Sequence, residues 1–119
     1  MARFDHVDST IGIVRAPINA NIAQSDWDKV IGVGINGTGK AVKGAGQTGI
    51  IGVAVPGRTV YRAAQIMDIM KKGDIVDVVG LAAGTKYYAD ATTGVLSTTN
   101  TGTYVGHTVE ADRLVVDGF

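Results

Sequence analysis

The chain has 119 residues, with 11 Lys and Arg residues against 11 Asp and Glu residues, and it contains no cysteine. That length makes one domain, and the formal net charge of zero argues against nucleic-acid-binding and polybasic membrane-surface proteins. Without cysteine, disulfides, thiolate metal sites and cysteine nucleophiles are excluded. Mean hydropathy is +0.19 with only 18% charged residues, which predicts that another chain covers part of the apolar surface.

The first 28 residues differ from the rest of the chain. They contain few turn signals, and only residues 11–14 have the density of branched side chains typical of a strand. We therefore divide the chain into an N-terminal arm and loop, residues 1–28, and a single β-rich domain, residues 29–119. Trp27 is expected to anchor the loop to the core or to lie at a contact surface. No signal peptide or membrane segment is predicted, so we expect synthesis in the cytoplasm.

Glycine punctuates residues 30–57. Each interior glycine costs a helix about 1 kcal/mol relative to alanine, and most residues between these glycines are β-branched. Short strands joined by tight turns are predicted. Asn36-Gly37 is a pair that accepts positive φ at both central positions of a turn, so it predicts a tight hairpin between residues 33–35 and 40–42.

Residues 59–70 are compatible with a strand or a short helix. The apolar residues would share one helical face: Val60, Ala63, Ala64, Met67 and Met70. We favour a strand, because residues 66–70 lead directly into a turn at residues 71–74 and a valine-rich run. A short helix near residues 59–70 is the alternative.

The C-terminal half predicts several short strands. Turns at residues 71–74 and 90–94 are each interpreted as a reversal between neighbouring strands, and an acidic corner at residues 110–112 separates the last two strands. Tyr87 and Tyr88 would point to opposite faces of a strand, one into the core and the other towards a surface contact. These patterns predict an all-β, mainly β fold: a small β-sandwich or barrel-like domain with an extended N-terminal arm.

Motifs that carry chemistry are incomplete. Residues 34–40 match the first seven positions of the phosphate-binding loop G-x-x-x-x-G-K-[ST], but Ala41 lacks the required hydroxyl and residues 42–46 are a poor helix. His6 lies near Asp5 and Asp8, and His107 lies near Glu110 and Asp112. On an extended strand His107 and Glu110 would face opposite sides. No catalytic residue, metal or cofactor is expected.

Three segments carry a family resemblance: Gly73-Asp74-Ile75-Val76-Asp77-Val78, Ala83-Gly84-Thr85-Lys86-Tyr87-Tyr88, and Thr108-Val109-Glu110-Ala111-Asp112-Arg113-Leu114-Val115-Val116. With Ile50-Ile51-Gly52-Val53-Ala54-Val55-Pro56, they resemble the small capsid decoration, or cement, proteins of tailed bacteriophages. The resemblance covers residues 30–119 and consists of glycine, turn and strand patterns.

The resemblance implies a non-enzymatic virion protein on the capsid exterior, bound to the major capsid protein as a homo-oligomer, with a trimer favoured. It implies no nucleic acid, membrane or small-molecule substrate as a partner. By analogy the N-terminal segment contacts the shell, through Ala2, Arg3, Phe4, Ile11, Ile13, Val14 and Arg15. Two alternatives stay open: another phage structural component, such as a tail-tube, head-completion or fibre-like protein, and a small nucleotide-binding protein that uses residues 34–40.

Overall fold

The computed structural model of the protein describes residues 14–78 and 80–119. The strands in these residues are β1 (Val14–Pro17), β2 (Ile31–Ile35), β3 (Ala41–Gly46), β4 (Gly52–Ala54), β5 (Ile66–Ile69), β6 (Ile75–Asp77), β7 (Lys86–Ala89), β8 (Leu96–Ser97), β9 (Thr103–Thr108) and β10 (Arg113–Val116). The helical element in the same residues is one 3-10 turn at Gln24–Asp26. The prediction of a mainly β fold is confirmed.

The strands form three sheets. β1 and β5 make an antiparallel two-stranded ribbon, here called the ribbon. β2 lies between β3 and β4, and the largest sheet has the antiparallel order β6-β10-β9-β7-β8. Single bridges connect the sheets, from Ile31 to Val95 and from Val53 to Met70. All three sheets therefore belong to one packed body.

Two hydrophobic clusters fill the interior. The first covers one face of the five-stranded sheet, its inner face, and consists of Val30, Val53, Val76, Val78, Tyr87, Ala89, Val105, Leu114 and Val116. The second lies between the three-stranded sheet and the ribbon and consists of Ala16, Ile18, Ile31, Val33, Ala41, Ala54, Met67 and Ile69. Fully burying a branched aliphatic side chain stabilises a fold by about 1.5–3 kcal/mol, so these clusters hold a cysteine-free chain together.

Residues 59–70 contain a strand and no helix. Residues 61–65 form irregular turns, in which the Gln65 side-chain oxygen accepts hydrogen bonds from the backbone N–H groups of Tyr61 (2.9 Å) and Arg62 (2.7 Å). Ala64 has φ of 72°, which interrupts any helix at that point. β5 follows directly, with alternating exposed and buried residues. The favoured strand is confirmed over Ile66–Ile69, and the helical alternative is wrong.

The predicted hairpin between residues 33–35 and 40–42 is wrong, because β2 and β3 pair in parallel. A turn is present between them, but it is of a different kind. The Asn36 N–H donates to Lys40 O (2.9 Å) and the Gly39 N–H donates to Asn36 O (3.0 Å), and the positive φ lies at Gly39 (83°) instead of at the Asn36-Gly37 pair. Asn36 acts through its side chain: Oδ1 accepts from the N–H groups of Thr38 and Lys40, both at 3.0 Å. The two-residue turn is therefore wrong, because the asparagine side chain organises a longer one.

The other predicted turns are present, with one correction. The turns at residues 90–94 and 110–112 join antiparallel neighbours, β7 with β8 and β9 with β10. At residues 71–74 the Asp74 N–H donates to Lys71 O (3.1 Å) and Gly73 has φ of 101°. However, β5 and β6 belong to different sheets, so this turn passes the chain from the ribbon to the five-stranded sheet and does not join paired neighbours.

Residues 14–28 pack against the rest of the fold. β1 pairs with β5 along its whole length, and Ala16 and Ile18 belong to the second cluster. Trp27 is half-buried: its ring lies 4.7 Å from the Tyr61 ring and its Nε1 donates to Ile22 O (3.3 Å). This part of the proposed arm and loop therefore contacts residues 29–119 extensively, because its apolar side chains are buried there.

Candidate interaction surface

Of the residues implied by the resemblance to contact a shell, the structure describes Val14 and Arg15. Both lie on β1 and both are exposed. Ala2, Arg3, Phe4, Ile11 and Ile13 lie outside the described residues. The ribbon therefore contains the two described residues that are predicted to contact a shell.

The ribbon has a buried face and a solvent face. Arg15 lies opposite Asp68, and Pro17 lies opposite Ile66. Met67 and Ile69 point into the second cluster, whereas Ile66 is 57% exposed. Successive side chains of a strand alternate between faces, so the sequence Ile-Met-Asp-Ile of β5 places one isoleucine inside and the other outside.

The ribbon is fixed to the rest of the molecule at the end of β1. The Ile18 N–H donates to Gln65 O (2.9 Å), and the Asn19 N–H donates to Ala41 O (3.0 Å). Ile18 is almost fully buried. The position of Val14, where the described chain begins, is therefore set by the core.

The charges of the ribbon cancel. Arg15 Nε lies 2.9 Å from Asp68 Oδ1, with side chains that are 71% and 54% exposed. An exposed pair of this kind contributes at most about 1 kcal/mol to folding. Because one cation neutralises one anion, the solvent face would recognise a partner through the apolar side chain of Ile66 and not through charge. Val14 lies opposite Ile69, so its exposed side chain is on the other face, at the start of β1.

β1 also offers backbone hydrogen-bonding groups. Within the described residues, Val14–Pro17 pairs with β5 along one edge only. An extended segment of a partner can add to such an edge through main-chain hydrogen bonds without needing charge. This geometry suits binding to a protein surface.

A cavity of about 310 Å³ lies beside the ribbon, between residues 18–23 and β3. Ile18, Ile31 and Met67 contribute apolar walls. Lys43 Nζ lies 2.7 Å from Asp26 Oδ2 in the lining, and both side chains are largely buried. The ion pair ties the 3-10 turn to β3 and thereby shapes the cavity.

The structure separates the candidates for catalytic or metal chemistry. Lys40 is followed by a strand, Ala41–Gly46, so residues 34–40 lack the helix N-terminus that a phosphate-binding loop requires. His107 lies within β9, whereas the Glu110 carboxylate accepts from Arg113 (2.7 Å). No group of three potential metal ligands occurs among the described residues. His6, Asp5 and Asp8 lie outside them.

The five-stranded sheet presents a second exposed surface. Tyr87 is buried and its hydroxyl accepts from the Ala82 N–H (2.8 Å), whereas Tyr88 lies on the opposite face against Tyr104, with ring centroids 5.5 Å apart. The prediction that the two tyrosines face opposite sides is confirmed. Burial, with Asp117 nearby, raises the pKa of Tyr104.

Sequence reasoning missed Ile66 and Asp68 as surface residues of the ribbon. The signal was present in the alternation of residues 66–69, but it does not show that β5 pairs with β1. Ile75 was likewise missed as an exposed residue, although it is 58% exposed on β6. These residues are placed on the surface by pairings between distant segments.

The geometry defines a small mainly-β domain with exposed, charge-balanced sheet surfaces. No protein-family model matches the chain, and neither does any curated protein. A solved structure from Mycobacterium phage Patience is similar in fold, with a TM-score of 0.69 and 21% sequence identity over 97% of this chain and 95% of that chain. At this identity the similarity shows a shared fold over nearly the whole of both chains. Among the described residues, no helix has the length and hydropathy needed to cross a membrane.

Proposed function

We propose that this protein is a structural virion protein of a tailed bacteriophage. More specifically, we propose a capsid decoration protein that binds the outer surface of the assembled head and stabilises contacts between major capsid subunits. The observation that carries the proposal is the fold shared over 97% of the chain with a phage protein. The resemblance of residues 30–119 to decoration proteins supports the finer assignment.

The ribbon is the proposed shell-binding surface. Its solvent face bears the exposed side chain of Ile66, and its charges cancel between Arg15 and Asp68. Val14 is exposed at the start of β1, on the face of Ile69. In the sequence, β1 directly follows the N-terminal residues that the resemblance implies in shell contact. In this proposal the protein acts by binding and catalyses no reaction.

Binding of many copies of the protein to the assembled shell would stabilise the shell. A ligand that binds only the assembled shell stabilises it by about 2.7 kcal/mol per site at one hundred times its dissociation constant, and a shell offers many sites. We propose a closed homo-oligomer, with a trimer favoured. Each further contact is then intramolecular, so avidity can exceed single-site affinity by roughly a hundredfold or more.

Co-sedimentation tests the proposal. Expanded empty heads, assembled from the major capsid protein encoded in the same genome, are mixed with the purified chain and pelleted. We expect the chain to pellet with heads at a saturating ratio, and Ile66→Lys to weaken binding because it places a charge in an apolar contact. Lys72→Glu, in the turn after the ribbon, is the charge-changing control and should bind like the unmodified chain.

The outcomes separate the related functions. A chain that pellets with heads and protects them against heat supports decoration. A chain that ignores heads but stacks into tubes supports a tail component instead. Binding that is unchanged in Ile66→Lys would remove the ribbon from the contact surface while leaving decoration in place.

A further inference from the structure

Asn36 is the one asparagine of the sequence that a glycine follows. An asparagine in this position can lose its side-chain amide without an enzyme, because the backbone nitrogen of the next residue can attack the side-chain carbonyl carbon. Glycine has no side chain to hinder that approach. Gly37 is exposed, so water reaches the pair. Asn36-Gly37 therefore has the chemistry of a self-modifying site.

The reaction has two steps. The Gly37 nitrogen forms a bond to Asn36 Cγ and loses its proton to solvent, while the side-chain amide group takes up a proton and leaves as ammonia. This closes a cyclic imide, which water then opens at one of its two carbonyl carbons. Opening at Cγ leaves aspartate, whereas opening at the backbone carbonyl leaves isoaspartate, in which the main chain runs through the side-chain carbons. Nothing is oxidised or reduced.

The folded turn holds both polar atoms of the Asn36 side chain. Oδ1 accepts from the N–H groups of Thr38 and Lys40, both at 3.0 Å, and from the Thr38 hydroxyl at 2.8 Å. Nδ2 donates to Asn19 Oδ1 (3.0 Å). An amide side chain has one acceptor and one donor atom, and here both are engaged. The direction of the side chain is therefore fixed from two sides.

The main chain at Asn36 is held as well. Its N–H donates to Lys40 O (2.9 Å), and its carbonyl oxygen accepts from the Gly39 N–H (3.0 Å). Ring closure requires the Gly37 nitrogen and Asn36 Cγ to meet along the direction of attack, by rotation about the bonds from Cα to the carbonyl and to the side chain. Because both groups are hydrogen-bonded, this rotation breaks part of the network. The reaction is therefore expected from the opened turn.

We propose that Asn36-Gly37 is a deamidation site that the folded turn protects and that local opening of the turn exposes. The rate in the folded chain then follows the fraction of molecules in which the turn is open. Loss of one hydrogen bond of the network would raise that fraction about threefold to tenfold. The proposal is independent of the proposed function, because it concerns the chemistry of the chain itself.

Modification would change the turn and its link to the neighbouring loop. An aspartate keeps an oxygen for the N–H groups of Thr38 and Lys40, whereas isoaspartate adds a methylene carbon to the main chain and displaces these acceptors. Both products lose Nδ2, the donor to Asn19. Asn19 lines the cavity beside the ribbon, so the reaction would weaken the contact between the turn and the cavity wall.

Deamidation rates of the full chain in native buffer and in concentrated urea test the proposal. Mass spectrometry of proteolytic peptides measures aspartate and isoaspartate at position 36 over time. We expect the rate in native buffer to be at least about tenfold lower than in urea. Gly37→Ala should slow the reaction in urea, because its methyl group hinders the attack. The fold accepts this change, since the added Cβ would lie 3.8 Å from Gln47 Cγ.

Two variants weaken the network without changing the reacting pair. Asn19→Ala removes the acceptor of Nδ2, and Thr38→Val removes one donor to Oδ1. Each should raise the rate in native buffer about threefold to tenfold and leave the rate in urea unchanged. Asn21→Ala is the matched control in the same loop, because Asn21 Oδ1 accepts from the Ala63 N–H (2.9 Å), and it should leave both rates unchanged. Circular dichroism checks that the variants are folded.

The other outcomes contradict the proposal in different ways. Equal rates in native buffer and in urea would show that the turn gives no protection. A faster rate in native buffer would show that the donors to Oδ1 polarise the carbonyl group and promote the attack. If urea-unfolded chains do not react at Asn36, the pair is not a deamidation site. If neither Asn19→Ala nor Thr38→Val changes the rate in native buffer, these hydrogen bonds do not control the reaction.

Discussion

Two salt bridges of similar length differ in their surroundings. Lys43 and Asp26 are 2.7 Å apart, with side chains 30% and 18% exposed, whereas Arg15 and Asp68 are 2.9 Å apart and mostly in water. A charge that loses its partner away from water carries a desolvation penalty, while an exposed one is rehydrated. The environment, and not the distance, sets the contribution of each pair to stability.

We therefore expect Lys43→Met to lower the free energy of unfolding by about 1.5–3 kcal/mol, because it leaves Asp26 without its cation. Arg15→Met is the matched control and should change it by less than about 1 kcal/mol. Urea unfolding at neutral pH measures both. Equal effects of the two substitutions would contradict the interpretation.

Asp90 makes a pH-dependent contribution to the stability of the fold. Its Oδ1 accepts hydrogen bonds from the Thr93 N–H (2.9 Å) and the Thr92 N–H (2.8 Å), and these bonds lower the pKa of Asp90 below its ordinary value of 3.8. Because the folded-state pKa is depressed, the stabilisation is present above the unfolded pKa and is lost as pH falls through the folded pKa. We expect Asp90→Asn, which keeps an oxygen acceptor, to be less stable than the unmodified chain at pH 7.

That difference should shrink as pH falls below 3.8 and continues through the lower folded pKa. Urea midpoints of both chains, measured at several pH values from about 7 to about 2, check this, since the ordinary aspartate pKa lies within that range. A difference that stays constant over the whole range would show that the Asp90 charge makes no contribution.

At the scale of elements, β5 shows how strand pairing assigns two isoleucines to different environments. Ile69 is fully buried in the second cluster, whereas Ile66 is 57% exposed. On a helix, residues three positions apart would share one face; on this strand they lie on opposite faces. The pairing of β5 with β1 selects which isoleucine is inside.

We expect Ile69→Ala to lower the free energy of unfolding by about 2–5 kcal/mol, because it removes buried methyl groups and leaves a cavity. Ile66→Ala should change it by less than about 0.5 kcal/mol, since the side chain is largely in water. Urea unfolding distinguishes the two results. Similar losses for both would contradict the alternation of β5.

At the scale of the whole molecule, two properties support the proposed function: the balance of charge and the fold shared with a phage protein. The chain has 11 cationic and 11 anionic side chains, not counting histidine. The described salt bridges pair opposite charges within the chain, which leaves apolar groups and backbone as the means of recognition on the ribbon. In the proposed function, such a surface would bind the capsid without attracting nucleic acid.

We therefore expect the binding of the chain to heads to change by less than about threefold when salt rises from about 0.05 M to about 0.5 M, a range over which surface charges become strongly screened. Co-sedimentation isotherms at several salt concentrations measure this. A steep loss of binding with salt would show that charged groups dominate the contact and would point away from the apolar face of the ribbon.

Local chemistry was sufficient to predict the mainly β class, a turn near residues 36–40, the reversals at residues 90–94 and 110–112, and the opposite faces of Tyr87 and Tyr88. It did not predict that β2 and β3 pair in parallel. Turn formation depends on a few adjacent residues, and alternation depends on a period of two, so both can be read from short segments. The exact turn at Asn36 could not be predicted in this way, because the asparagine side chain could organise more than one turn geometry.

Partners of each strand were decided by contacts between distant segments. Arg15 and Asp68 are 53 residues apart in the chain, and their pairing makes the ribbon. Val14 and Arg15 could be named from a resemblance, whereas Ile66 and Ile75 become surface residues only once β5 pairs with β1 and β6 pairs with β10. Register is selected by which side chains the assembled core can bury, and that selection requires every element of the core to be in place.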